Sequence, residues 1–237
     1  IMYTGGGRNM SLWNDEVEAI LYGWYPGQIG NQAIAEIISG ATNPSGKLPI
    51  TIEKQFEDSP GFPYLPDGEE LYDDFEFDFD LDHPIHDITY DEDIFVGYRW
   101  YELKNIKPLY PFGFGLSFSD FSYENIQVFK QEYQPGEDVF VKVRVTNTSD
   151  IAGKEIVQLY VRDIEASIAR PFKELKGFRK VEFAPKATKE MIFKLTQRDF
   201  SFWDENTNSW KLEPGTFEII VGSSSQNVPL KVKVNII

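Results

Sequence analysis

The chain has 237 residues, room for one large or two small domains, and its 41% hydrophobic and 15% aromatic content is ample for a packed core. It contains no cysteine, which excludes disulfides and thiolate metal sites, and no apolar run near the roughly 20 residues needed to span a bilayer. The net charge of −15 is local: fifteen Asp or Glu and no Lys or Arg lie between Gln55 and Tyr98, leaving 23 acidic against 23 basic residues elsewhere. Such a body offers no basic surface for nucleic acid.

Residues 1–52 read as α/β. Ile1–Thr4 reads as the end of a strand, so the chain is expected to be a piece of something longer, and the missing signal peptide says nothing about compartment. The loop Gly5-Gly6-Gly7-Arg8 follows, and Ala19–Trp24 is a second short apolar run. The three glycines lack GxGxxG spacing and no helix starts directly after them, so they read as a tight loop rather than a phosphate cradle. The turn Pro26-Gly27 leads to a helix with Ile34, Ile37 and Ile38 on one face, Asn31 as its cap and Gly40 as its end. A rigid turn, Asn43-Pro44-Ser45-Gly46, precedes the expected short strand Leu48–Ile52. Strand, loop, strand and helix suggest the edge of a mostly parallel sheet.

Residues 54–92 differ. Pro60, Pro63 and Pro66 make the first half extended or looped. From Asp74 to Asp82 acid and apolar residues alternate, placing Phe75, Phe77, Phe79 and Leu81 on one face and five carboxylates on the other. That pattern predicts an extended arm laid on its own body or on a second copy, because three exposed Phe would be a liability. Asp78, Asp80 and Asp82 resemble the start of a calcium loop, which fails at His83, where glycine is needed, and at Thr89, where the bidentate Glu is needed. A hard-cation site, such as one for calcium, drawn from Asp73, Asp74, Asp78, Asp80 or Asp82 stays open beside the plainer reading of a solvated acidic face. His83 and His86 are spaced for one helical face, but Pro84 argues against a helix and for a surface loop.

Two aromatic segments follow. Tyr90–Tyr101, YDEDIFVGYRWY, is similar to a pattern of glycoside hydrolase family 3, which implies an acidic turn and then an aromatic strand with Trp100 in the core, and Pro108–Phe118 is the glycine–aromatic run PLYPFGFGLSF. From about Tyr123 the chain reads as all-β. Val139, Val141, Val143 and Val145 alternate with polar neighbours, and Val157, Leu159 and Val161 form the inner face of the next strand. Further strands are expected at Leu175–Phe183, Lys189–Leu195, Ser209–Leu212, Thr216–Val221 and Val228–Ile236, separated by turn signals. Many short strands at this spacing indicate a β-sandwich.

The segments GQIGNQAIAEIISGATNPSGKLP, PFGFGLS, VTNTSDIAGKEIVQLYV, RPFKELKGFRKV and EPGTFEIIVGSSS together resemble the C-terminal part of glycoside hydrolase family 3. The resemblance covers nearly the whole chain except 54–89. It implies α/β followed by all-β: the end of an α/β sandwich domain (1–53), an acidic aromatic insert or linker (54–92), a connecting aromatic segment (93–122) and a fibronectin type III-like, immunoglobulin-like β-sandwich (123–237). It also implies a β-glucosidase-like retaining enzyme, secreted or periplasmic, acting on oligo- or aryl β-glycosides. Its carboxyl pair would lie about 5 Å apart. The family's nucleophile and acid/base motifs are absent here, so no catalytic residue is assigned. The expected partners are the N-terminal catalytic barrel, the rest of the α/β domain and a second copy through the insert, with no cofactor, nucleic acid or membrane. Two rival readings are a non-catalytic carbohydrate-binding module and a dimerisation module. Trp13, Trp24, Trp100, Trp203 and Trp210 are sugar-platform candidates by residue type, although aromatics default to cores, and Trp203 and Trp210 are expected to pack within the sandwich.

Overall fold

The computed structural model describes residues 1–64 and 90–237. At the start of the chain Met2 and Tyr22 form a parallel bridge, so the two short apolar runs do lie side by side. Helix α1 spans Gly30–Ile38. Its cap position is Ile29, with no side-chain cap bond, so Asn31 is not the cap. Asn31 sits inside the first turn and accepts a hydrogen bond from the Tyr3 hydroxyl at 3.2 Å. Gly40 ends the helix as expected, at φ +77°, a region open to glycine. Ile34 is buried, whereas Ile38 is 67% exposed.

Leu48–Ile52 does not become a full strand. It is held by an antiparallel bridge between Ile52 and Tyr110, and Leu48 exchanges backbone hydrogen bonds with Phe114 and Gly113. Pro49 between them has no N–H to continue a ladder. The expected aromatic strand before residue 101 is instead helix α2, Tyr98–Leu103. Trp100 and Tyr101 are buried in it, as expected for Trp100, and the indole N–H of Trp100 donates to the Asp58 carbonyl at 3.1 Å. Burial on several sides overrides the strand preference of aromatics, which largely reflects a half-buried surface.

The remainder is a sandwich. Its strands are β1 (Phe121–Val128), β2 (Glu132–Tyr133), β3 (Val139–Asn147), β4 (Gly153–Asp163), β5 (Glu174–Phe183), β6 (Thr188–Leu195), β7 (Phe202–Asp204), β8 (Ser209–Lys211), β9 (Gly215–Gly222) and β10 (Leu230–Ile236). A one-turn helix, α3 (Gln197–Phe200), links β6 to β7 through a capping box in which Thr196 and Asp199 satisfy each other's ends. One sheet has the order β1-β3-β6 and the other β2-β10-β9-β4-β5, while β7 and β8 form a separate hairpin. The expected alternation holds: Val139, Val141, Val143 and Val145 are wholly buried against Leu159, Phe193, Ile219 and Val221. Each such valine is worth about 1.5–3 kcal/mol of transfer free energy.

Strand β4 breaks the alternation. Val157, Leu159 and Val161 face the core, yet Gln158 and Tyr160 on the opposite face are 3% and 0% exposed. What covers that face is the segment before the sandwich: Tyr98 packs edge-on to Tyr160 at 5.9 Å and stacks obliquely on Phe112.

Candidate functional site

Asp73, Asp74, Asp78, Asp80, Asp82, His83 and His86, with the Phe75–Leu81 arm, lie outside the described residues. Among the described residues no three His, Asp or Glu gather as a metal site would need. The glycine loop is no phosphate cradle, since Tyr25 stands against Gly5 and the Tyr22 hydroxyl donates to the Gly6 carbonyl. Of the five tryptophans, Trp100 is buried and Trp13 and Trp24 are half-buried. Trp203 and Trp210 do not pack within the sandwich: they are 45% and 43% exposed. Their strands are short and form a hairpin of their own, so alternation turns Phe202 inward and both indoles outward.

Two surface clefts, of about 400 and 490 Å³, hold between them a single carboxylate, Glu53. Neither can supply the two carboxyls of a retaining glycosidase. Glu155 has the raised pKa of a catalytic acid, with burial as its main cause. It is 3% exposed and engaged on both oxygens, so no substrate reaches it.

What these residues do build is a polar clasp between residues 43–47, the 111–119 segment and the sandwich. Asn43 lies at its centre. Its amide donates to the Ser119 hydroxyl and the Ala152 carbonyl, both at 2.9 Å. Its carbonyl oxygen accepts from the Ser117 hydroxyl at 2.8 Å and the Phe118 N–H at 2.9 Å. Gly46 and Gly115 then pass each other so closely that a Cβ on Gly115 would lie 2.1 Å from the Gly46 carbonyl oxygen. Lys47 reaches over this crossing to the Gly115 carbonyl at 2.9 Å and to the Glu155 carboxylate at 3.3 Å. The other Glu155 oxygen accepts from the Tyr123 hydroxyl at 2.9 Å. Burial, reinforced by the Glu155 charge, pushes the Tyr123 hydroxyl far up, so it stays protonated and remains a donor.

The outer face of β4 completes the joint. The Gln158 amide donates to the Gly113 carbonyl at 3.2 Å and the Ser223 carbonyl at 2.6 Å, and its oxygen accepts from the Tyr160 hydroxyl at 2.6 Å. Further along, α2 is tied to β5 by charge. Arg170 bridges Asp163 at 2.9 Å and Glu174 at 2.8 Å, Arg99 reaches Glu174 at 3.3 Å, and Lys173 pairs with Glu102. Burial alone would raise the Glu174 pKa, but Lys176, Arg170 and Arg99 together hold it below the usual carboxylate range. The clasp itself was not foreseen. NPSGK reads in sequence as a rigid turn, and only the acid Glu155 within an apolar strand hints at a buried partner.

The first 38 residues contrast with the clasp. Within residues 1–38 the described structure buries Met10 and Ile34 alone among large apolar side chains, while Leu12 (92%), Tyr25 (82%) and Ile29 (72%) lead seven that are exposed. A segment so arranged has no core of its own.

Two family models match the chain: the glycosyl hydrolase family 3 C-terminal domain over residues 1–118, and the fibronectin type III-like domain over residues 155–225. The chain belongs to glycoside hydrolase family 3. Among family 3 relatives, a β-glucosidase of Bacteroides ovatus is 38% identical over 218 residues, which is 91% of this chain and 27% of that protein. Thermostable β-glucosidase B of Acetivibrio thermocellus is 38% identical over 224 residues, 94% of this chain and 28% of its own length. A crystal structure of a family 3 β-glucosidase from Bifidobacterium adolescentis superposes with a TM-score of 0.86 at 34% identity, covering 99% of this chain and 32% of that one. β-Glucosidase 3B of Thermotoga neapolitana in complex with glucose gives 0.84 at 33% identity, covering 98% of this chain and 30% of that one. The chain thus corresponds to the C-terminal region of family 3 proteins and spans under a third of their length.

Proposed function

We propose that this chain is the C-terminal scaffold of a retaining β-glucosidase that releases terminal non-reducing β-D-glucosyl residues. The carrying observation is the exposed apolar surface of residues 1–38, which the barrel and the remainder of the α/β domain of the same enzyme would cover. The relatives support the substrate class, as they are β-glucosidases three to four times longer than the matched region. Nucleophile and acid/base would stand about 5 Å apart in the upstream part and work by double displacement through a covalent glycosyl-enzyme. The clasp would hold the sandwich rigidly beneath the α/β domain and so fix the outer rim of the sugar site.

The test compares the 237-residue chain alone with the same chain joined to a family 3 barrel and upstream α/β portion, using aryl β-D-glucoside and aryl β-D-xyloside. The chain alone should leave both intact, and the joined protein should prefer the glucoside. Leu12→Asp should leave the isolated chain as stable as before, because Leu12 is 92% exposed there, yet abolish assembly with the upstream part. Glucoside turnover by the purified chain, or assembly indifferent to Leu12→Asp, would sink the reading.

A further inference from the structure

The β7–β8 hairpin carries a surface that the scaffold role does not use. Trp203 and Trp210 face each other across the two strands, with ring centroids 5.5 Å apart and planes inclined at 58°. They are the only exposed tryptophans among the described residues. The Arg198 guanidinium lies over the Trp210 ring, and among the described residues it makes no ion pair and no side-chain hydrogen bond. Two outward indoles, one of them with a guanidinium from α3 stacked on its ring, therefore stand together beside the hairpin.

We propose that Arg198, Trp203 and Trp210 form a binding site for a single soluble β-glucan chain. A β-glucosyl ring carries its substituents equatorially, so both of its faces present axial C–H groups, which suit the faces of indoles. The guanidinium fork supplies directed donors to ring hydroxyls at the edge of that platform. The 58° inclination decides the physical form of the ligand. A crystalline cellulose face is flat and needs coplanar rings, whereas successive rings of a free chain turn relative to one another and can follow an inclined pair. The site draws only on α3, β7 and β8, so the 237-residue chain alone should hold polymer.

The test is native electrophoresis of the 237-residue chain through gels containing mixed-linkage β-glucan or, as the α-linked control, pullulan, with a pull-down on microcrystalline cellulose. Retardation is expected in the β-glucan gel alone, with no depletion by cellulose. Trp203→Ala and Trp210→Ala should each weaken affinity about tenfold, the usual consequence of removing one aromatic anchor. A cross-strand aromatic pair also stabilises its hairpin. If thermal melts show that either change unfolds the hairpin, Arg198→Ala decides, since it keeps both indoles: weaker retardation supports the site and unchanged retardation overturns it. Equal migration of the unaltered chain in both gels overturns the proposal. Retardation that survives both tryptophan changes in folded protein does so too, and depletion by cellulose refutes the free-chain assignment.

Discussion

Replacing Asn43 by alanine removes four hydrogen bonds in one step, to Ser119, Ala152, Ser117 and Phe118. Each is worth about 0.5–1.5 kcal/mol net. Asn43 is half-buried, so water reaches part of the vacated site and the low end of the range applies, about 0.5–0.75 kcal/mol per bond, giving a loss of about 2–3 kcal/mol. Because Asn43 ties the segment before the sandwich to the residues that lead into β1 and β4, that loss falls on the whole described body and not on one loop. At this chain length each kcal/mol moves the midpoint by about 2–4 °C, so scanning calorimetry should show one transition lowered by about 5–10 °C. Pairing the change with Ser119→Ala in a double-mutant cycle should return a coupling of about 0.5–1.5 kcal/mol. Two separate transitions in the unaltered chain, with the sandwich melting at its old temperature in the variant, would refute the idea of a single joined body. A shift within about 1 °C would refute the energetic role of Asn43 itself.

Lys47→Met should cost about 3–5 kcal/mol at neutral pH, because it strands the buried Glu155 carboxylate. The Glu155 pKa already lies above its ordinary value through burial, so the ionised form is the one the fold disfavours. Stability of that variant should be greatest below the unfolded carboxyl pKa and fall as pH rises through the folded one, as urea melts at pH 5 and pH 8 would show. Gly115→Ala should destabilise by about 2 kcal/mol or more, since its Cβ would meet backbone at Gly46 and not a movable side-chain tip. Glu213 is held down to about 2, chiefly by the Ser167 hydroxyl and then by Lys211. Its contribution is present above the unfolded pKa and lost as pH falls toward 2, and an NMR titration should find the Glu213 carboxyl titrating higher in Ser167→Ala.

Much of the sandwich was legible because its signal is local. Alternating valines from Val139 to Val145 and turn residues at Pro214-Gly215 specify strands without reference to distant parts. The errors share one cause. The aromatic end of Tyr90–Tyr101 is expected as a strand from the family likeness, and Tyr98–Leu103 folds as a helix in which Trp100 finds the Asp58 carbonyl, a partner that no short window of sequence contains. Asn31 has the composition of a cap, yet after the turn at Pro26-Gly27 the helix starts two residues earlier than such a cap would place it, at Gly30 with Ile29 as its cap. Asn43 and Lys47 sit in a recognisable motif, but their partners lie 76 and 108 positions away, at Ser119 and Glu155. Trp203 and Trp210, which flank the turn Asp204–Asn208 and are expected within the sandwich, face outward because they pair on two three-residue strands of a separate hairpin.

The doubly buried strand β4 bears on how such proteins can be divided or recombined. A cut between Phe118 and Ser119 follows the end of one family match, yet it would bare Tyr160 and leave Gln158 facing water instead of the Gly113 carbonyl. The boundary that homology draws is therefore not a seam along which the molecule comes apart. A fibronectin-like domain transplanted from this chain should be inherited together with Asn43–Lys47 and the PFGFG run, and shuffled libraries that respect this unit should yield more folded members than those cut at the domain edge.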